Sequence, residues 1–222
     1  MRLRTWVLLL PLLCLPGWAA AADHRVEPLD EAPPTEGVAA EIHEQLAATG
    51  QRLIRGASRA VCDVWLARSW TTQADFEPTA AVIYPFEAGQ FLGVIRYARK
   101  GTDYRGQEIS SGVYVMRYGL QPVDGNHVGT SVIRDFVLLT PADMDQTVAP
   151  IEEEALAKLS AEVAGGTHPT MLSLRHAPAD ASALPALRHE EEGDLWILEA
   201  AGQSAGGEAL PVAVVLVGQA AE

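Results

Sequence analysis

The sequence predicts a mainly β protein, an antiparallel β-sandwich of about seven or eight strands with one or two short helices. Short apolar segments rich in β-branched and aromatic residues recur along most of the chain, separated by glycine, proline or aspartate. Hydrophobic residues make up 48% of the composition, which is typical of a globular chain with its own core. Short antiparallel strands of this kind commonly pack as two facing sheets.

The first 22 residues have the pattern of a secretory signal peptide. Arg2 and Arg4 precede an apolar run at 6–15, and the small residues at 19–22 offer an A-x-A cleavage site. This run is shorter than the roughly 20 residues that span a bilayer. We therefore expect export to the periplasm or the extracellular space, a mature chain that starts at Asp23, and no transmembrane segment in it.

The mature chain is predicted to contain a tether and one domain. Residues 23–36 are rich in proline and acids, which is typical of an extended, solvated tether. Residues 37–222 show no repeat and no second boundary, so they are predicted to form a single β-sandwich-like domain.

Two helices and eight strands are predicted in this domain. Val38, Ile42 and Leu46 recur every fourth position, which places them on one face of a helix within 37–48. A second helix is predicted between Pro150 and Gly165, since proline suits a first helical turn and glycine suits a helix exit. The predicted strands, bounded by turn residues, are 61–66, 80–84, 91–98, 112–118, 132–139, 170–174, 195–199 and 211–217.

Charge and cysteine usage exclude several classes of function. The formal net charge is -13, and loss of Arg2 and Arg4 with no acid would make it -15. Phosphate backbones and anionic lipid surfaces repel such a chain, so we expect neither nucleic-acid nor peripheral membrane binding. Cys62 would be the one cysteine left after cleavage, which excludes an internal disulfide and indicates a buried, inert thiol.

The densest polar segment is a loop between two predicted strands. Asp124, Asn126 and His127 lie in it, and Arg134 and Asp135 follow at the start of the next strand. A polar loop of this length on a rigid sheet is where binding sites are commonly built, so these five residues are the candidate ligand-binding residues. The alternative is turn chemistry alone, because Asp-Gly and Asn favour tight turns.

A metal site is an alternative use of the same loop. His127, Asp124 and, through folding, His168 are the candidate ligands, since three or four nitrogen, oxygen or sulfur ligands hold a transition metal. The match to a calcium loop fails at Val128, which offers no side-chain oxygen. No cofactor is otherwise predicted.

The chain carries no recognisable catalytic pattern. It lacks Gly-x-Ser-x-Gly and a glycine-rich phosphate loop before a helix, and the adjacent acids at 190–192 cannot face a substrate as an acid–base pair. Trp70, at a predicted strand end, is the aromatic residue that we expect to be exposed. The prediction is a non-catalytic binding or structural module of the cell envelope, with an envelope protein or a glycan as partner. The alternative is a metal-binding exported protein.

One block of the sequence resembles a family of uncharacterised secreted bacterial proteins. The resemblance lies in Asp103-Tyr104-Arg105-Gly106, Ser111 to Tyr114, Arg117-Tyr118 and the segment 121–131, which contains Gln-Pro-x-Asp-Gly-Asn-His-x-Gly. Arg134-Asp135-Phe136 and His168-Pro169 belong to it as well. It covers about a third of the chain and implies a shared exported domain with no known activity.

Overall fold

The structure is a computed structural model that describes residues 23–124 and 131–220. The predicted signal peptide at 1–22 lies outside the described residues, as do two candidate ligand-binding residues, Asn126 and His127.

Strands are the main regular structure of the described chain. The two α-helices are α1 (Ala40–Gln45) and α2 (Glu153–Ala161), and a 3₁₀ turn spans Ala181–Ala183. The strands are β1 (His24–Leu29), β2 (Gly50–Arg55), β3 (Arg59–Leu66), β4 (Phe91–Tyr97), β5 (Gly101–Thr102), β6 (Glu108–Ile109), β7 (Gly112–Leu120), β8 (Asp135–Pro141), β9 (Met171–Arg175), β10 (Ala186–Glu190), β11 (Leu195–Gln203) and β12 (Ala209–Val217).

Ten of the strands form one antiparallel sheet that curls until its two ends meet. The order is β1-β2-β3-β4-β7-β8-β9-β12-β11-β10, and β5 pairs with β6 alone. The terminal strands β1 and β10 contact each other, and the ring centroids of His24 in β1 and Trp196 in β11 lie 4.6 Å apart. The sheet is therefore nearly barrel-shaped.

The prediction of a mainly β, antiparallel fold with two helices is confirmed, but the sandwich of seven or eight strands is wrong. Apolar and polar side chains that alternate along a strand predict one buried face. Strands of a sandwich and strands of a curled sheet share this pattern, so it does not distinguish the two architectures. Three polar strands of the large sheet also escaped prediction. They are β2, β10 and β1, of which β1 occupies the first half of the segment predicted to be a tether.

Both predicted helices are present. Ile42 lies in α1, and Val38 and Leu46 flank it; all three are buried, as their spacing predicts. Helix α2 begins after Glu152, whose carboxylate accepts hydrogen bonds from the first-turn N–H groups of Glu154 and Ala155. This contact explains why an acid stands at the start of the helix.

One predicted strand, 80–84, is absent. The N–H groups of Ile83 and Tyr84 donate to the carboxylate of Asp135 at 3.0 and 3.1 Å, so these backbone groups are satisfied outside a ladder. The phenol of Tyr84 accepts from Ala213 N at 2.9 Å and donates to Arg175 O at 2.7 Å. The segment is therefore held by the side chain of Asp135 and by backbone groups of β9 and β12.

The connection between β3 and β4 ties distant strands together. The backbone N–H of Trp70 donates to Gln203 O in β11 at 2.8 Å, and its indole N–H donates to Leu92 O in β4 at 3.1 Å. Trp70 is 2% exposed and packs on Phe86. The expectation that Trp70 is exposed is wrong, because this connection turns into the core.

A buried ion pair anchors the segment that leads to α2. Arg117 in β7 donates to both oxygens of Asp145 at 2.6 and 2.7 Å, and both side chains are 0% exposed. Its other N–H groups donate to the carbonyls of Gly89, Ala149 and Thr147. All donors of this guanidinium are thus satisfied.

Within residues 23–124 and 131–220, neither helix is long and apolar enough to cross a membrane.

Candidate functional site

The predicted polar loop is closed at its base by two residues. Gln121 N donates to Arg134 O and Arg134 Nε donates to Gln121 O, both at 2.8 Å. Arg134 N also donates to Ala81 O at 2.7 Å. Arg134 therefore fixes the neck of the loop, while Asp124 lies exposed beyond it.

Asp135 points into the core instead of toward the loop. It is 0% exposed, and its carboxylate accepts from the N–H groups of Ile83 and Tyr84 and from the hydroxyl of Tyr118 at 2.6 Å. These contacts give the carboxylate a structural role, because they join β8, β7 and the connection before β4.

His168 contacts Arg105 and Pro169. Its Nε2 is 2.9 Å from Arg105 Nη1 and its Nδ1 is 3.1 Å from Pro169 O. Arginine only donates, so Nε2 must be the accepting nitrogen and Nδ1 carries the proton. The described residues contain no group of three metal-ligating side chains. Since His127 lies outside them, the metal site at Asp124, His127 and His168 stays a prediction.

A cavity at one end of the curled sheet concentrates positive charge. Its volume is about 410 Å³, within the range of small-molecule sites. Four cations and one carboxylate, Glu108, line it, which gives a formal charge of +3 with histidine neutral. We call it the basic cavity and define it by His24, Arg55, Arg59, Tyr97, Arg99 and Lys100.

Three of these basic residues, two arginines and one histidine, stand side by side on neighbouring strands. In the ladder, His24 of β1 is opposite Arg55 of β2, and Arg55 is opposite Arg59 of β3. Gly56, at φ +61°, begins the turn that joins the two arginines, a conformation that favours glycine. Like charges directly opposite each other destabilise a sheet. The row therefore has a cost in stability that an anion bound between the side chains would remove.

The arginines of the cavity differ from the other described arginines, because their side chains have no partner in the described parts of the chain. Within the described parts of the chain, the side chains of Arg55, Arg59 and Arg99 make no hydrogen bond or ion pair, and all three are exposed. The side chain of every other described arginine and lysine donates to a side chain or to a backbone carbonyl; these residues are Arg25, Arg52, Arg68, Arg96, Lys100, Arg105, Arg117, Arg134, Lys158, Arg175 and Arg188. In a chain of net charge -13, the unpaired arginines thus gather in one place.

Two buried polar atoms of the cavity residues also have no partner. Tyr97 is 2% exposed, and its hydroxyl makes no hydrogen bond within the described residues. The ring lies under Gly101, where a Cβ atom would come within 2.6 Å of Tyr97 Cε1, so only glycine fits there. The second atom is Nδ1 of His24. Buried hydroxyl and imidazole groups are normally hydrogen-bonded, and these two atoms are exceptions, although both are shielded from solvent inside residues that line the cavity.

Burial sets the ionisation of both groups. It raises the pKa of Tyr97 well above its usual value, so the phenol stays protonated and can donate. Burial, and next the positive charge of Arg55, lower the pKa of His24 below 6.5, although Asp194 opposes the shift. His24 is therefore mainly neutral at pH 7, and its ring nitrogens can donate or accept.

His24 also lies where the two ends of the sheet meet. Its ring packs on Trp196, and the ring of His189 stacks on the same indole with centroids 4.0 Å apart. Asp194 Oδ1 is 2.8 Å from His189 Nε2 and accepts from Trp196 Nε1 at 3.2 Å. These contacts fix the wall of the cavity that β1 forms.

A second cavity, of about 370 Å³, has neither the positive charge of the basic cavity nor lining residues with unpartnered buried atoms. Its charged lining residues are Asp75 and Glu208, and none of its side chains has a buried atom without a partner. Exposed acids are ordinary surface in so acidic a chain. We therefore take the basic cavity as the candidate site.

Sequence reasoning missed the basic cavity because it searched one loop at a time. The signal was present in Arg55-Gly56-Ala57-Ser58-Arg59, where a turn of small residues carries arginine on both sides. Reading that turn as a hairpin would have placed the two arginines opposite each other. The basic pair Arg99-Lys100 begins the next exposed turn.

Comparisons of the chain with protein-family models, with curated proteins and with solved structures found no match. The resemblance to secreted bacterial proteins stays a prediction.

Proposed function

We propose that the protein is an exported, non-catalytic binding protein that captures a small anionic ligand in the basic cavity. The observation that carries this proposal is the gathering around one cavity of three arginines, Arg55, Arg59 and Arg99, whose side chains have no partner among the described residues. Guanidinium groups bind carboxylate and phosphate oxygens through paired hydrogen bonds, and they keep their charge at every physiological pH.

Local charge and net charge have separate consequences. The acidic surface disfavours large polyanions, whose charge extends over many ångströms, as the sequence predicts. A small anion in the cavity is close to the arginines and is screened from more distant acids, since the Debye length is about 8 Å at physiological ionic strength. The ligand is therefore small, or reaches the cavity with one end.

The cavity residues offer binding groups more readily than catalytic ones. Glu108 is the carboxylate in the lining, and it accepts from Lys100 Nζ at 2.6 Å. Cys62 is buried, and burial raises the pKa of its thiol far above its usual range. Neither group is suited to act as a free base or a nucleophile.

Thermal melting of the full chain with inorganic phosphate tests the proposal. Phosphate also stabilises proteins by exclusion from their surface, so the informative quantity is the difference between variants. Arg59→Gln removes one unpaired cation of the cavity, and Lys158→Gln removes one exposed cation of α2 that is paired with Glu154. We expect the melting temperature to rise with phosphate in the wild type and in Lys158→Gln, and to rise less in Arg59→Gln. Equal rises in all three proteins would contradict an anion site in the cavity.

A further inference from the structure

We infer that the ligand of the basic cavity carries two or more anionic groups in one molecule, as a short dicarboxylate or an oligophosphate does. This inference rests on the proposed function and deepens it, because the proposed function requires only one anionic group. Two observations support it. One is the number of cavity arginines without an acid partner among the described residues, and the other is their placement on neighbouring strands.

The positive charge of the cavity exceeds what one anionic group can neutralise. Lys100 Nζ lies 2.6 Å from Glu108 Oε1, so this lysine and this acid neutralise each other. The positive charge that remains in the lining belongs to Arg55, Arg59 and Arg99. Arginine keeps its charge at every physiological pH, so proton loss cannot reduce it. A ligand with a single negative charge would therefore leave most of it unneutralised.

The same three strands contain a second set of arginines, which do have acid partners. Arg52 of β2, Asp63 of β3 and Arg96 of β4 are opposite one another in the ladder. The carboxylate of Asp63 accepts from Arg52 Nε at 2.6 Å and from Arg96 Nη2 at 2.7 Å. A second carboxylate, that of Glu31, accepts from Arg96 Nη1 at 2.7 Å and lies 3.5 Å from Arg52 Nη2. Two arginines on alternate strands are thus held by two carboxylates.

The cavity has arginines on the same strands without the acids. Arg55 of β2 is opposite Arg59 of β3, so the middle strand carries an arginine where the other set has Asp63. Arg99 follows the end of β4, and β4 runs antiparallel to β3, so it leaves the sheet at the end where Arg59 begins. Among the described residues, no carboxylate contacts these three side chains. An occupant that matches the other set therefore supplies both anionic groups itself.

The remaining lining suits a short link between the two groups. Ala60, Val61, Leu216 and Val217 supply apolar surface, on which the CH₂ groups of a dicarboxylate can pack. The volume of about 410 Å³ is that of a small-molecule site, which favours a compact ligand over an extended polymer. A short dicarboxylate fits the charge and the apolar lining together.

Isothermal titration of the full chain with acetate and succinate tests this inference. Succinate is two acetate units joined through their methyl carbons, so the two ligands differ in the number of carboxylates and not in their kind. We expect succinate to bind at least about tenfold more tightly, since its second carboxylate makes charge-assisted hydrogen bonds of its own. Phosphate and pyrophosphate repeat the comparison for oligophosphates. The tighter ligand of succinate and pyrophosphate identifies the source.

Two variants test whether the second anionic group reaches a second arginine. Arg55→Gln and Arg99→Gln change exposed side chains that have no partner in the described parts of the chain, so we expect both to fold normally. Each should lower the ratio of succinate affinity to acetate affinity about fivefold, and a lower ratio in either supports the second contact. Lys158→Gln is the control, because it removes the same charge from the exposed surface of α2 and should leave the ratio unchanged.

Three results would overturn the inference in different ways. Equal affinity for acetate and succinate, together with equal affinity for phosphate and pyrophosphate, would leave a site for one anionic group. A ratio that changes equally, or not at all, in the cavity variants and in Lys158→Gln would show that the second group responds to net charge alone. Absence of binding by all four anions would overturn the proposed function as well.

Discussion

The hydroxyl of Tyr118 donates to the carboxylate of Asp135 at 2.6 Å, in a part of the core where both side chains are 0% exposed. Burial, and then this hydrogen bond, raise the pKa of Tyr118 above its usual range. The contact joins β7 to β8 through side chains. It gives the Asp135 carboxylate a third hydrogen-bond donor, beside the backbone N–H groups of Ile83 and Tyr84. It makes Asp135 a structural residue of the fold.

Removal of that hydroxyl should destabilise the fold. Tyr118→Phe leaves the buried carboxylate with two donors, so we expect the free energy of unfolding to fall by about 2 kcal/mol, the range for hydrogen bonds to charged groups. Denaturant unfolding measures it. The matched control is Tyr114→Phe, whose hydroxyl donates to the neutral carbonyl of Ser110 at 2.9 Å and should cost about 1 kcal/mol. Equal losses in the two variants would contradict a charged acceptor at Asp135.

The buried pair of Arg117 and Asp145 should be strongly coupled. Loss of one partner leaves the other as an unpaired charge in the core, which costs about 3–5 kcal/mol. We expect Arg117→Met and Asp145→Asn each to lower the free energy of unfolding in this range. The double variant should lose clearly less than the sum of the two. Additive losses would show that the two side chains act independently.

His24 should make stability depend on pH in a window below 6.5. Its pKa is lowered in the folded protein, chiefly by burial and next by Arg55, with His189 adding to the shift and Asp194 and Asp23 opposing it. The unfolded chain therefore binds a proton more readily, and stability falls as the pH decreases from 6.5 toward the folded pKa. Melting temperatures between pH 7 and 5 measure this loss. His24→Gln should have a shallower slope, and identical slopes in both proteins would count against the burial of this ring.

The arginine row should reduce stability when no ligand is present. Arg55 and Arg59 are directly opposite each other, and neither has an acid partner among the described residues. We expect Arg59→Gln to raise the free energy of unfolding of the ligand-free chain by about 0.2–1 kcal/mol at low salt, and by less at high salt. Denaturant unfolding at two salt concentrations measures both effects. A loss of stability in this variant would indicate that Arg59 has a structural partner.

Local pattern predicted the strands with one buried face and both helices, because periodicity reports which side of an element is buried. It did not predict how the sheet closes. Closure depends on contacts such as that of His24 with Trp196, which are far apart in sequence. The strands β1 and β10 were missed for a related reason, since they lie at the ends of the sheet and carry mostly polar or exposed residues.

The block in which we predict a resemblance to secreted bacterial proteins holds several buried polar contacts of the fold. Arg117 binds Asp145, and Tyr118 binds Asp135. Asp103, 0% exposed, accepts from the N–H groups of Arg105, Gln107 and Met171. Residue type alone does not distinguish buried polar side chains that stabilise the fold from polar side chains that bind a ligand. Asp135 is a candidate site residue by sequence and a core residue by structure, because the direction of its side chain depends on tertiary contacts.

The most direct test of the anion site is NMR of the arginine Nε–H groups in the full chain during titration with acetate and with inorganic phosphate. The proposed function predicts that the resonances of Arg55, Arg59 and Arg99 move with ligand concentration, and that those of Arg68 and Arg188, which have protein partners, stay in place. Saturating shifts confined to the three cavity arginines would confirm that the cavity binds the anion. Resonances of these three that do not move, or shifts of equal size in all five, would contradict it.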